Sequence, residues 1–125
     1  MLPRKGTVND HGTVVGYSYT GDGQFVAVRW GSDGSITKLG ALPGYPDSDA
    51  GAINCGGTIA GEVTSSDGQT ATAVLWGSDG PVTNLGGLPG QTYAGAAGLD
   101  DEGTVVGWSQ TSAGQVHAVE WAPVY

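Results

Sequence analysis

One segment is written nearly three times along this chain, and that repetition constrains its fold more than any other feature. Residues 12–18 read GTVVGYS, 57–63 GTIAGEV and 103–109 GTVVGWS, while 25–30 read FVAVRW, 71–76 ATAVLW and 116–121 VHAVEW. Trp30, Trp76 and Trp121 stand 46 and 45 residues apart; Asn9, Asn54 and Asp100 stand 45 and 46 apart. The first two tryptophans are followed by GSDGSITKLGALPG (31–44) and GSDGPVTNLGGLPG (77–90), the third by four residues only. A period of this length marks a supersecondary unit that gains its core by packing on its copies. The units run 6–50, 51–96 and 97–125, the last incomplete, within a single domain spanning 1–125.

Each unit reads as four short strands. In the second copy they lie around Ala52-Ile53-Asn54, then at Thr58 to Val63, Ala71 to Trp76 and Val82 to Leu85. The runs are rich in β-branched residues and bounded by Asp-Gly and Gly-Gly punctuation. Asp22-Gly23, Asp33-Gly34, Asp67-Gly68 and Asp79-Gly80 are hairpin signals, because such turns need positive φ. No stretch has helical periodicity with caps, so the expected class is all-β, with strands one to three kept in the third copy.

Composition then excludes several functions. The 125 residues include 24 glycines but only 24 Leu, Ile, Val or Phe, with a net charge of −8. That balance borders on the disordered class. The period, four tryptophans and five tyrosines argue for a fold instead. With four cations and a pI near 4.2, the chain is not expected to bind nucleic acid, which needs clustered Lys and Arg. No apolar run approaches the roughly 20 residues of a membrane span, and MLPRKG is unlike a signal peptide. The glycine runs lack the strand–loop–helix context of a phosphate cradle, so no cofactor is expected. Asp47-Ser48-Asp49 and Asp100-Asp101-Glu102 miss the spacing of a calcium loop, so no metal is expected either.

The blocks Ile53-Asn54-x-x-Gly57, Gly103-Thr-Val-Val-Gly107-Trp-Ser109 and His117-Ala-Val-Glu-Trp121 resemble the bacterial HAF repeat family. Repeats of that family carry an Ile-Asn-x-x-Gly-x-Val-x-Gly segment, a His-Ala-Phe-like motif ending in Trp, and a Leu-Gly-rich linker. The resemblance covers nearly the whole chain. It departs from the pattern where Val26 and Thr72 replace the histidine kept at His117, and where Val28, Val74 and Val119 replace the aromatic. It implies β-propeller-like blades and an extracellular or cell-surface location, and it brings no established activity. Propellers close with about four to eight blades, so fewer than three blades imply completion by self-association into a homo-oligomer. The alternative is a β-trefoil or another pseudo-threefold all-β fold.

Positions identical in all copies read as scaffold. The tryptophans fill space between neighbouring sheets. Asn9, Asn54 and Asp100 suit Asx turns, and Gly16, Gly61 and Gly107 mark a bulge or a close sheet contact. Divergent positions are the candidate site: Tyr17, Glu62 and Trp108 after that glycine, Arg29 and Glu120 before the tryptophan, and His117. Alternation puts Arg29, Leu75 and Glu120 opposite the tryptophans. Arg29 and Glu120 invite an ion pair within or between chains. A second cluster, Tyr45, Asp47, Asp49 and Tyr93, is expected in the linkers, where aromatic faces beside carboxylates suit a sugar ring. The reading is a binding module for a carbohydrate or protein ligand, without catalysis. The alternative is a small non-redox enzyme, a hydrolase or cyclase, with Glu62 and Glu120 as acid and base. No Gly-x-Ser-x-Gly elbow is present, and Cys55 reads as a turn residue.

Overall fold

The computed structural model describes residues 3–9, 11–19, 23–40, 42, 44–66, 68–77, 82–86, 91–111 and 114–121. The Asp79-Gly80 turn, Asp22, Asp67 and most of the Leu-Pro segments near 2, 43 and 88 lie outside these residues.

The described residues form β-strands and turns. The first sheet takes β1 (Pro3–Val8), β2 (Val14–Tyr19), β3 (Phe25–Trp30) and β4 (Ile36–Lys38) in that order. The second takes β5 (Asp47–Ile53), β6 (Ile59–Thr64), β7 (Ala71–Trp76) and β8 (Val82–Gly86), again in chain order. The third holds β9 (Gln91–Leu99), β10 (Val105–Thr111) and β11 (Val116–Trp121), ordered β11-β10-β9. All pairings are antiparallel.

Tight turns explain why consecutive strands pair. Asn9, Asn54 and Asp100 each open one in the same way. Asn9 Oδ1 accepts the N–H groups of His11 and Thr13, both at 3.0 Å. Asp100 Oδ1 accepts those of Glu102 and Thr104 at 3.0 and 2.8 Å. This is the expected Asx turn. In the Asp33-Gly34 turn only the glycine takes positive φ (87°), and Gly68 takes it too (71°).

The glycines of β2, β6 and β10 sit opposite a register shift in every sheet, at Lys5/Thr7, Ala50/Ala52 and in β9 beside Ala96. A side chain at Gly61 would overlap the Asp49 carbonyl, and one at Gly107 the Gly95 carbonyl. The bulge therefore requires glycine there.

One expectation is corrected. Residues 47–50 and 91–96, read from sequence as linker, are strand: β5 starts at Asp47 and β9 at Gln91. Asp, Gly and Ala are poor strand formers, but the ladders to β6 and β10 override that preference. Tyr93, Asp47 and Asp49 are thus strand residues; Tyr45 precedes β5.

The second sheet is apolar on both faces. Val15, Ala27 and Leu39 of the first sheet and its edge pack with Ile53, Ile59, Val63, Val74 and Trp76. Ala52 and Ala60 pack instead with Val105 of the third sheet, joined by Leu75, Leu85, Ala96, Leu99 and Trp121. Leu75 and Trp76 therefore face opposite ways, as alternation requires.

Candidate functional site

Strand register brings four of the candidate residues into one region. Asp49 on β5 lies directly opposite Glu62 on β6, and Gly95 on β9 directly opposite Trp108 on β10. Directly opposed residues share a face, with Cβ atoms about 4.5–5.5 Å apart. Asp49 and Glu62 are therefore two carboxylates side by side, both half-buried.

Their surroundings show in their acidity. Burial raises the Glu62 carboxyl, and the charge of Asp49 raises it further, to about 6. Burial also raises Asp49. Desolvation disfavours the charged form, and a neighbouring like charge adds to that penalty.

The third sheet supplies an aromatic surface beside them. A Cβ built on Gly95 would lie 3.1 Å from Trp108 Cζ2 and 3.2 Å from Glu62 Oε1. The indole edge and the carboxylate thus converge on one residue that has no side chain to keep them apart. Tyr93 stacks on Trp108 with ring centroids 6.2 Å apart and planes 11° from parallel. The Tyr93 hydroxyl donates to the Gly68 carbonyl at 2.5 Å, anchoring the ring to the β6–β7 turn. What results is a flat aromatic pair beside two carboxylates whose charged forms burial disfavours.

The other candidates lie elsewhere. Tyr17 belongs to an edge-to-face cluster on the first sheet, 5.7 Å from Tyr19 and 5.6 Å from Phe25. Arg29 on β3 is opposite Val15, which faces the second sheet. Glu120 and His117 are exposed on β11 of the third sheet. Arg29 and Glu120 thus stand on different sheets, each of which packs on the second. The acid/base pairing expected of Glu62 with Glu120 is not formed; the carboxylate facing Glu62 is Asp49.

Of the second cluster, Tyr45 packs against the first core and Asp47 Oδ1 accepts the Phe25 N–H at 3.1 Å. Both have structural work, whereas Asp49 and Tyr93 join the site. Sequence reasoning did not single out Gly95. Its signal was present: Gly95 occupies the repeat position of Asp49 and of Arg4, so the third copy has lost a side chain there.

Cys55 is half-buried in the β5–β6 turn, and its N–H donates to Asp101 Oδ1 at 3.0 Å. Among the described residues no group of three or more His, Cys, Asp or Glu is placed to hold a metal ion. No described helix is long and apolar enough to cross a membrane. Comparison with protein-family models, curated proteins and solved structures returns no match.

Proposed function

We propose that the chain is a carbohydrate-binding module whose site is formed by Trp108, Tyr93, Glu62 and Asp49. The observation that carries this reading is the convergence of the Trp108 ring and the Glu62 carboxylate on Gly95. A sugar offers an apolar C–H face and hydroxyl edges. The indole suits the first, and carboxylate oxygens accept hydrogen bonds from the second. Tyr93, stacked and tethered, holds the indole plane in place.

The sheets are read as blades of a β-propeller, with two four-stranded units and one three-stranded unit completed by a second copy of the chain. Repeated turns, repeated bulges and in-order packing support that architecture. The resemblance to HAF repeats adds an extracellular or cell-surface setting.

A panel of immobilised oligosaccharides tests the binding reading. The wild-type chain is expected to retain a subset, Trp108→Ala to lose it, and Glu62→Gln to weaken it without abolishing it. Absence of any retained glycan overturns the assignment. One observation favours a second reading: a carboxyl raised to about 6 beside a second carboxylate suits a general acid with its partner base. On that reading a hydrolytic turnover on a retained glycan is lost in Glu62→Gln while binding persists.

A further inference from the structure

Asp49 and Glu62 are directly opposed on β5 and β6, a placement that like charges disfavour. Burial raises both carboxyls, and the charge of Asp49 raises Glu62 further. Each of these effects opposes the charged form. Among the described side chains, none acts on either group in the other direction.

The strands that build the site share this bias. β9 packs on β5, β6 and β7, and β10 pairs with β9. The charged residues of these strands are Asp47, Asp49 and Glu62, all acidic. Asp47 is engaged by the Phe25 N–H. Glu62 has Asp49 as its cross-strand neighbour on one side and the fully buried Ala73 on the other. A buried charge is costly unless it is paired, and the strands that hold this pair offer it no cation.

Two acids on paired strands are ordinarily a solvated surface, but these stand beside aromatic rings. Glu62 Oε1 and the Trp108 ring converge on Gly95, and Tyr93 stacks on that ring with planes 11° from parallel. An aromatic face attracts a cation, and Trp does so most strongly. A carboxylate accepts charge-assisted hydrogen bonds from an ammonium group. Both halves of the site thus favour the same sign of charge. A neutral sugar leaves the repulsion between Asp49 and Glu62 in place, whereas an ammonium group relieves it.

We infer that this site selects a cationic sugar, an oligosaccharide of amino-sugar units with free amines. The inference rests on the carbohydrate reading above and names the ligand class within it. The ammonium donates to Asp49 and Glu62, and the C–H face of the ring lies on Trp108. In an amino sugar the nitrogen is bonded directly to the ring, so charge and apolar face reach both halves of the site together. N-acetylation turns that nitrogen into a neutral amide and removes the charge. The same two carboxylates repel a sugar acid, which adds discrimination against the opposite charge.

Titration calorimetry of the full chain with oligomers of glucosamine and of N-acetylglucosamine, matched in length, tests the inference. Mildly acidic buffer keeps the free amine protonated. The free-amine oligomer is expected to bind about tenfold or more tightly, the scale of one hydrogen bond to a charged group. Added salt should narrow that ratio. Asp49→Asn and Glu62→Gln should each reduce it several-fold, and the double variant should bring it close to unity while its circular dichroism matches the wild type. Equal affinity for the two oligomers, or a preference that survives in the double variant, overturns the cationic ligand and leaves the carbohydrate reading standing. Absence of binding to these and to every other glycan overturns both.

Discussion

The two junctions between sheets are built on the same repeat yet filled with different chemistry. Between the first and second sheets, Trp76 is fully buried, and its indole N–H donates to the Gly40 carbonyl at 2.8 Å. Its polar groups are paired: Ser48 and Asp47 accept the N–H groups of Ala27 and Phe25. Those donors need side-chain acceptors because β4 is short and pairs with β3 only from Val28 onward. In the second sheet β8 is longer, and Gly86 pairs with Ala73, so the corresponding positions Tyr93 and Ala94 are released from that work. The second junction instead has a small core of Ala52, Ala60 and Val105, and beside it half-buried carboxylates and an indole. One junction is built for stability. The other spends part of its buried area on carboxylates that desolvation penalises.

The sharpest way to break this comparison is at the tryptophans. Trp76→Ala removes the largest fully buried side chain and is expected to cost about 3–5 kcal/mol. Trp121 is its repeat equivalent at the second junction but only half-buried, so Trp121→Ala should cost clearly less. Urea denaturation of both variants checks the difference, and equal losses would remove the distinction between the junctions.

The next effect is a pH dependence confined to the second junction. Glu62 has its folded pKa raised to about 6 from an ordinary 4.5. The folded state therefore binds this proton more tightly than the unfolded chain does. Stability associated with Glu62 is full below the unfolded value and falls as pH rises through the folded one. The loss accumulates between about pH 4.5 and 6 and amounts to at most about 2 kcal/mol. Glu62→Gln should flatten that part of the wild-type curve and leave the variant more stable than wild type at pH 7. A difference curve without slope between pH 4 and 7 would show that Glu62 is well solvated.

Smallest is the effect of the ladder that runs through both junctions, in which Asn9 Nδ2 donates to the Asn54 carbonyl and Asn54 Nδ2 to the Asp100 carbonyl. Asn54→Asp keeps the acceptor for the Thr58 N–H but loses the donor to the Asp100 carbonyl. About 1 kcal/mol of stability should be lost, the net value of one such hydrogen bond. Asn9→Asp is the matching change at the first junction, and comparing the two melts shows whether the ladder couples the sheets equally.

Much of the fold was legible in the residues. The third strand of each unit begins and ends where the text FVAVRW, ATAVLW and VHAVEW does, because β-branched and aromatic residues alternate there between defined turns. The bulge glycines were also legible, since a residue without Cβ recurs at one strand position. The first strand of each unit was not. Asp47 to Ala50 and Gln91 to Ala96 have weak strand preference, and only their pairing with β6 and β10 makes them strands.

The site was legible by residue type but not by grouping. Glu62 and Trp108 stood out as divergent copies of one position, and Asp49 and Tyr93 as polar and aromatic neighbours in supposed linkers. That Asp49 faces Glu62 depends on the shift at Ala50/Ala52, since a bulge exchanges the faces of all residues beyond it. No local pattern reports such a shift in advance.

Period, turns and alternation are local properties, set by the conformational limits of glycine, Asx and β-branched residues, and the sequence alone determined them. Which face meets which, and which carboxylate stands against Glu62, were decided only by tertiary structure. Packing joins residues distant in the chain, and burial sets the cost of a carboxylate at Glu62 against that of one at Glu120.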